Sequence, residues 1–106
     1  MEKDVKFSDA GKILIASLSG EIDHHLAKSQ REEIDGMLFF KKPEVLVLDF
    51  SAVRFMDSSG IGLIIGRAEV ASGMGATVKL SGLSPTQRKL IRLSGIGKLK
   101  NVRIED

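Results

Sequence analysis

Residues Val45-Leu46-Val47-Leu48-Asp49-Phe50 are apolar almost without a break, over a length that suits a strand better than a helix. Such a run reads as a buried strand, the kind found in parallel sheets covered by helices. The next segment narrows the choice of fold. After Phe55-Met56-Asp57-Ser58-Ser59-Gly60, apolar side chains recur at helical spacing through Ile61, Ile64, Ile65, Ala68 and Ala71. A buried strand that feeds an amphipathic helix is half of a right-handed crossover unit, the building block of α/β sheets.

The remaining segments fit that frame. Alternation over Lys3-Asp4-Val5-Lys6-Phe7, turn chemistry in Ser8-Asp9-Ala10-Gly11 and a second apolar stretch from Lys12 to Leu18 predict an N-terminal hairpin. Ser19-Gly20-Glu21-Ile22-Asp23 is expected to break the second strand, with Asp23 capping a helix from His24 to Phe40. Along that helix Leu26, Ala27, Ile34, Met37 and Leu38 make the apolar stripe. Gln30, Arg31, Glu32, Glu33 and Asp35 fall mostly on the other side, and Pro43 stops the helix. The strand from Glu44 to Phe50 leads through a short loop to a second helix, roughly Ser59 to Ser72. Gly62 and Gly66 leave one stripe of it nearly bare, which implies close backbone approach to the sheet or to a partner. Leu63 and Val70 lie off its core stripe and are expected to be partly exposed. Ala76–Leu80 is the next strand, and Ser84-Pro85-Thr86-Gln87 opens a short helix with a capping box and Pro at N1. Gly95 ends that helix, and Asn101–Ile104 is a last strand. The order is β-β-α-β-α-β-α-β: one α/β domain over residues 1–106, with a mostly parallel, mixed sheet of about five strands.

Composition excludes several classes of function. The chain has no cysteine, so disulfides, thiolate metal sites and a cysteine nucleophile are absent, in keeping with a reducing compartment. No apolar run approaches the roughly 20 residues of a spanning helix, and Met1-Glu2-Lys3-Asp4-Val5 lacks a signal-peptide core, so a cytoplasmic protein is expected. A net charge of +2 is too small to imply a polyanion partner. Its distribution is uneven: Lys79, Arg88, Lys89, Arg92, Lys98, Lys100 and Arg103 lie between Val70 and Ile104 with no Asp or Glu among them. Such a run is more often a solvated face than a site. All five Phe precede residue 56, so no aromatic platforms interleave with these cations for single-stranded nucleic acid.

A catalytic reading finds little support. Gly60-Ile61-Gly62 is not part of a P-loop, and a dinucleotide fingerprint is missing. The adjacent pair His24-His25 points in two directions on a helix, and with no cysteine a metal site is not expected. Asp57-Ser58-Ser59-Gly60 lacks the Gly-x-Ser-x-Gly elbow of a serine hydrolase. What remains is a serine at the start of a helix, able to serve as cap, anion ligand or phosphate acceptor. Asp57 is available as the cap, which leaves the serines redundant for that role. In a parallel sheet the loop at Asp23 and the loop at Ser58 leave the same carboxyl edge and can share one surface. A second Ser-Gly-Ile-Gly, Ser94-Gly95-Ile96-Gly97, falls at a helix C-terminus, where the dipole opposes a phosphate.

Gly20-Glu21-Ile22-Asp23-His24-His25, the run from Leu48-Asp49-Phe50 through Phe55-Met56-Asp57-Ser58-Ser59-Gly60-Ile61-Gly62 to Arg67, and Leu93-Ser94-Gly95 resemble the bacterial anti-sigma factor antagonists. Within the STAS domain family the resemblance is to the sporulation sigma-F branch, and it extends over essentially the whole chain. It implies a small sheet with helices against one side. It also implies a further helix after the last strand, whereas this sequence ends at Asp106. The function implied is partner switching: the unphosphorylated antagonist binds an anti-sigma factor that is also a serine kinase, and frees the sigma factor. By the same resemblance Ser58 is the residue phosphorylated, a phosphoserine phosphatase restores the active form, and Asp23 with Asp57, Ser58, Ser59 and Gly60 forms the partner surface. No enzymatic activity, cofactor, metal, nucleic acid or membrane enters this reading, and the free protein is expected to be a monomer. The alternatives are a small nucleotide-binding α/β domain and a STAS module of a stress-signalling complex.

Overall fold

A computed structural model describes residues 5–105. Met1 to Asp4, including the predicted strand residues Lys3 and Asp4, lie outside the described residues, as does Asp106. Strands β1 (Val5–Ala10) and β2 (Ile13–Ile22) form the expected antiparallel hairpin, and helix α1 (His24–Lys41) leads to β3 (Val45–Met56). Helix α2 (Ser58–Gly73), β4 (Thr77–Ser81), α3 (Pro85–Ser94), a 3₁₀ turn (Ile96–Lys98) and β5 (Val102–Ile104) complete the chain. The sheet order is β1-β2-β3-β4-β5, and every pair after the first is parallel, as the sequence predicts.

Side-chain alternation shows where the core lies. Leu14, Ala16 and Leu18 on β2, Leu46, Leu48 and Phe50 on β3, and Val78 and Leu80 on β4 are all buried beneath α1 and α2. Their neighbours Ile15, Val45, Val47, Thr77 and Lys79 face the other way and are half-buried, because no described helix covers that face. The apolar run of β3 is therefore buried on one face only, which corrects the expectation of a strand enclosed on both.

Two predicted breaks are continuations of strand. Ser19 to Ile22 remain in β2, and Ser51 to Met56, read from the sequence as a loop, extend β3. Register explains this. Ser17 pairs Asp49 but Ser19 pairs Ala52, and Gly20 pairs Val53 but Glu21 pairs Phe55, so β3 absorbs an extra residue twice. Turn-forming residues are accommodated as bulges: Gly20 takes φ 90°, and the Ser51 N–H and hydroxyl both donate to Asp49 Oδ1, at 3.0 and 2.6 Å.

The helices keep their predicted places, with rotated faces. Gln30, expected on the polar side of α1, is fully buried and donates from Nε2 to the Ser19 carbonyl at 3.3 Å. Asp35, likewise expected outside, reaches across to α2, where its Oδ1 lies 2.8 Å from Arg67 Nε in a contact off the line of a hydrogen bond. On α2 the core stripe is turned: Leu63 is buried although expected to be partly exposed, and Ile65, expected in the core, is 36% exposed. The cause is a second neighbour, since α2 must cover the sheet with Ile64, Ala68 and Ala71 while meeting α1 with Arg67. Asp35 is shifted to higher pKa by burial, with Arg67 opposing the shift, and the same burial lowers Arg67.

Candidate functional site

The site begins with β2 and β3, which run parallel to the same edge. Ile22 pairs Met56 as their last partners, and the Asp57 N–H donates to the Ile22 carbonyl at 3.3 Å. The loops that start α1 and α2 are thus joined by the sheet, and Asp23 and Asp57 stand at equivalent positions. Each is in extended backbone and each caps its helix: Asp23 Oδ1 accepts from the Leu26 N–H at 2.9 Å, and Asp57 Oδ1 accepts from the Ser59 N–H at 2.7 Å. The Leu26 N–H is also the main reason that the exposed Asp23 carboxyl sits below its ordinary value.

With Asp57 as cap, the two serines diverge. Ser58, the first residue of α2, is exposed at the helix start, where the dipole favours negative charge. Ser59 is half-buried and lines a groove of about 300 Å³ between α1 and α2. Gly60 is buried, and a Cβ there would lie 2.8 Å from Met56 Sδ and 3.1 Å from Met56 Cβ. Its part in the edge is to let α2 start tight against β3. Asp23, Asp57, Ser58 and Ser59 are therefore brought together as the sequence predicts, with Gly60 beneath them.

Of the two close approaches expected at Gly62 and Gly66, to the sheet or to a partner, the first does not occur. No heavy atom beyond their immediate chain neighbours and helix backbone comes within 4 Å of a Cβ built at either, so neither packs against the sheet. The bareness of Gly62 instead opens the groove beside Ser59, whose opposite wall carries His24, Lys28 and Arg31 of α1. The sequence reading missed this cationic wall. Ala27, Lys28 and Arg31, spaced for one side of a helix, were its available signal. The second Ser-Gly-Ile-Gly lies where predicted, at the end of α3: the Ser94 hydroxyl donates to the Ile91 carbonyl at 2.6 Å, and Gly95 adopts φ 81°.

The STAS domain family description matches residues 5–105. Among curated proteins, the chain is 34% identical over 87 residues to an anti-sigma F factor antagonist of Paenibacillus polymyxa, covering 82% of this chain and 74% of that protein. Among solved structures, it superposes on the unphosphorylated form of the anti-sigma factor antagonist SpoIIAA with a TM-score of 0.79 at 28% identity, covering 96% of this chain and 88% of that one. The phosphorylated form of the Bacillus cell fate determinant SpoIIAA gives a TM-score of 0.73 at 28% identity, covering 96% and 91%.

Proposed function

The chain belongs to the STAS domain family, and on that footing we propose that it is an anti-sigma factor antagonist switched by a phosphate on Ser58. Its partner is an anti-sigma factor that is also a serine kinase. The unphosphorylated chain binds that kinase at the edge formed by Asp23, Asp57, Ser58 and Ser59, with Gly60 shaping the edge from below, and the sigma factor is released. Phosphorylation by the kinase ends the complex, and a phosphoserine phosphatase reverses it. The chain is the phosphate acceptor in this cycle and catalyses no step; it acts as a monomer in the cytoplasm. No helix among the described residues is long and apolar enough to cross a membrane.

One observation carries the proposal: Ser58 is exposed at a helix N-terminus whose cap is Asp57, so its hydroxyl is left available. Ser59, half-buried and facing the groove, is the poorer acceptor. That SpoIIAA occurs in unphosphorylated and phosphorylated forms supports the reading. The physics suits a switch. A phosphate brings about −1.5 to −2 charges at neutral pH. The N-terminus of α2 favours it by about 0.3–1 kcal/mol, so the fold survives. In an interface the same group must be desolvated and accommodated, and a penalty of about 3 kcal/mol weakens binding more than a hundredfold.

The test is incubation with the anti-sigma kinase and ATP, followed by mass-spectrometric mapping. Phosphate on Ser58 is expected; phosphate on Ser59 alone, or none, overturns the assignment.

A further inference from the structure

The second bulge of β3 has an effect on the surface. Arg54 is the extra residue between the pairs Gly20–Val53 and Glu21–Phe55. Val53 and Met56 are buried on either side, so both intervening side chains face outward, and Phe55 is 54% exposed. It stands on the strand that delivers Ser58, at the same carboxyl edge. Beside it, a groove of about 220 Å³ runs between the β3 tail and α3, with Phe55, Met56, Thr86 and Leu90 in its walls. The walls are fixed: Gln87, buried, donates from Nε2 to the Val53 carbonyl at 3.2 Å, and its backbone and Oε1 complete the capping box with Ser84. Along α3, Leu93 lies one turn beyond Leu90 and is 78% exposed. By helical spacing the exposed cations Lys89 and Arg92 lie on the solvent side of this strip, in a stretch of sequence without a carboxylate between Val70 and Ile104. Arg54 in the groove wall stands 3.7 Å from the exposed Glu21 carboxylate.

We propose that this groove is a docking site for an apolar side chain carried on an acidic segment of the anti-sigma factor, with Phe55 and Leu90 as its apolar contacts and Lys89 and Arg92 matching the acidic flank. The inference rests on the partner-switching reading and adds to it a contact separate from the phosphate acceptor. An exposed aromatic ring in a preformed groove beside a polar edge has the composition of an interface anchor. The cations supply charge complementarity and select an acidic partner.

The test measures binding of the anti-sigma kinase from the same genome, together with kcat and KM for phosphorylation. Phe55→Ala is expected to weaken binding at least about tenfold and to raise KM while kcat stays within about twofold. Lys89→Glu, on an exposed side chain, should weaken binding in the same direction, and Phe40→Ala at the far end of α1 should not. Melting temperatures establish that each variant is folded; should Phe55→Ala not fold, Lys89→Glu decides the outcome. Wild-type affinity for both Phe55→Ala and Lys89→Glu, with binding still weakened by Ser58→Asp, overturns the groove and leaves the switch standing. No binding by the wild-type chain overturns both. Tight binding of an oligonucleotide that is lost in Lys89→Glu, with kinase binding unchanged, assigns the cations to nucleic acid and also overturns the proposal.

Discussion

Asp57 and Ser58 are adjacent, yet their side chains do separable work. Asp57→Ala removes the acceptor for the Ser59 N–H and is expected to cost about 1 kcal/mol, read from chemical denaturation. Ser58→Ala, at an exposed first-turn position that does not cap, should leave stability within about 0.5 kcal/mol while abolishing phosphorylation. Asp23 carries a pH signature. Its carboxyl is held below the ordinary 3.8 by the Leu26 N–H, so the stability it contributes is present above about pH 4 and is lost as pH falls through the folded value. Asp35 has the opposite sign: its pKa is raised by burial, so its contribution is present below 3.8 and is lost as pH rises through the folded value. Asp23→Asn should therefore flatten the acid limb of the stability curve, and Asp35→Asn should steepen it. The capping of both helices was legible in the sequence because a cap depends on one residue and its next few N–H groups. The difference in exposure between Ser58 and Ser59 was not, because it depends on α1 lying across a groove from Ser59.

At the scale of the element, α1 and α2 meet through an ion pair that their sequences hid. Arg67 is 4% exposed, and its Nη1 has no acceptor among the described residues. Truncating Asp35 to Ala leaves that charge without its partner but also removes a carboxylate that burial disfavours, so the expected cost falls below the about 3–5 kcal/mol of a fully buried pair, whereas Asp35→Leu with Arg67→Met should be neutral or stabilising by thermal unfolding. Helical periodicity missed the pair because it scores polar residues as outward, and only a second helix in the way turns them inward. The β3 tail was misread for a related reason. Ser51 and its neighbours have turn chemistry, yet β2 alongside supplies enough hydrogen bonds to keep them in the sheet. Gly82 shows how tightly that region closes. It has φ 69°, and a Cβ there would fall 2.6 Å from Asp49 Oδ1 and 2.7 Å from the Ser51 nitrogen. Gly82→Ala combines strain with overlap against backbone and is expected to destabilise by more than about 2 kcal/mol in urea unfolding.

For the molecule as a whole, the order of elements along the chain, the mostly parallel pairing and the placement of Asp23 beside Ser58 were all readable, since alternation of strand and helix leaves few topologies. Stability should follow the sheet outward from its centre. Amides of β2, β3 and β4 around Ala16, Leu48 and Leu80 should exchange only through global unfolding, while the three-residue edge strand β5 exchanges faster by local opening. The register that ends in Ile22 opposite Met56 bears on the thermodynamics of association. Both halves of the edge that we propose as the partner surface leave adjacent strands at the same level and are capped at once, so little of it has to be immobilised on association. Binding then loses little conformational entropy on this side, and spin labels placed near residues 23 and 58 should report the same narrow distance distribution in the free and bound protein.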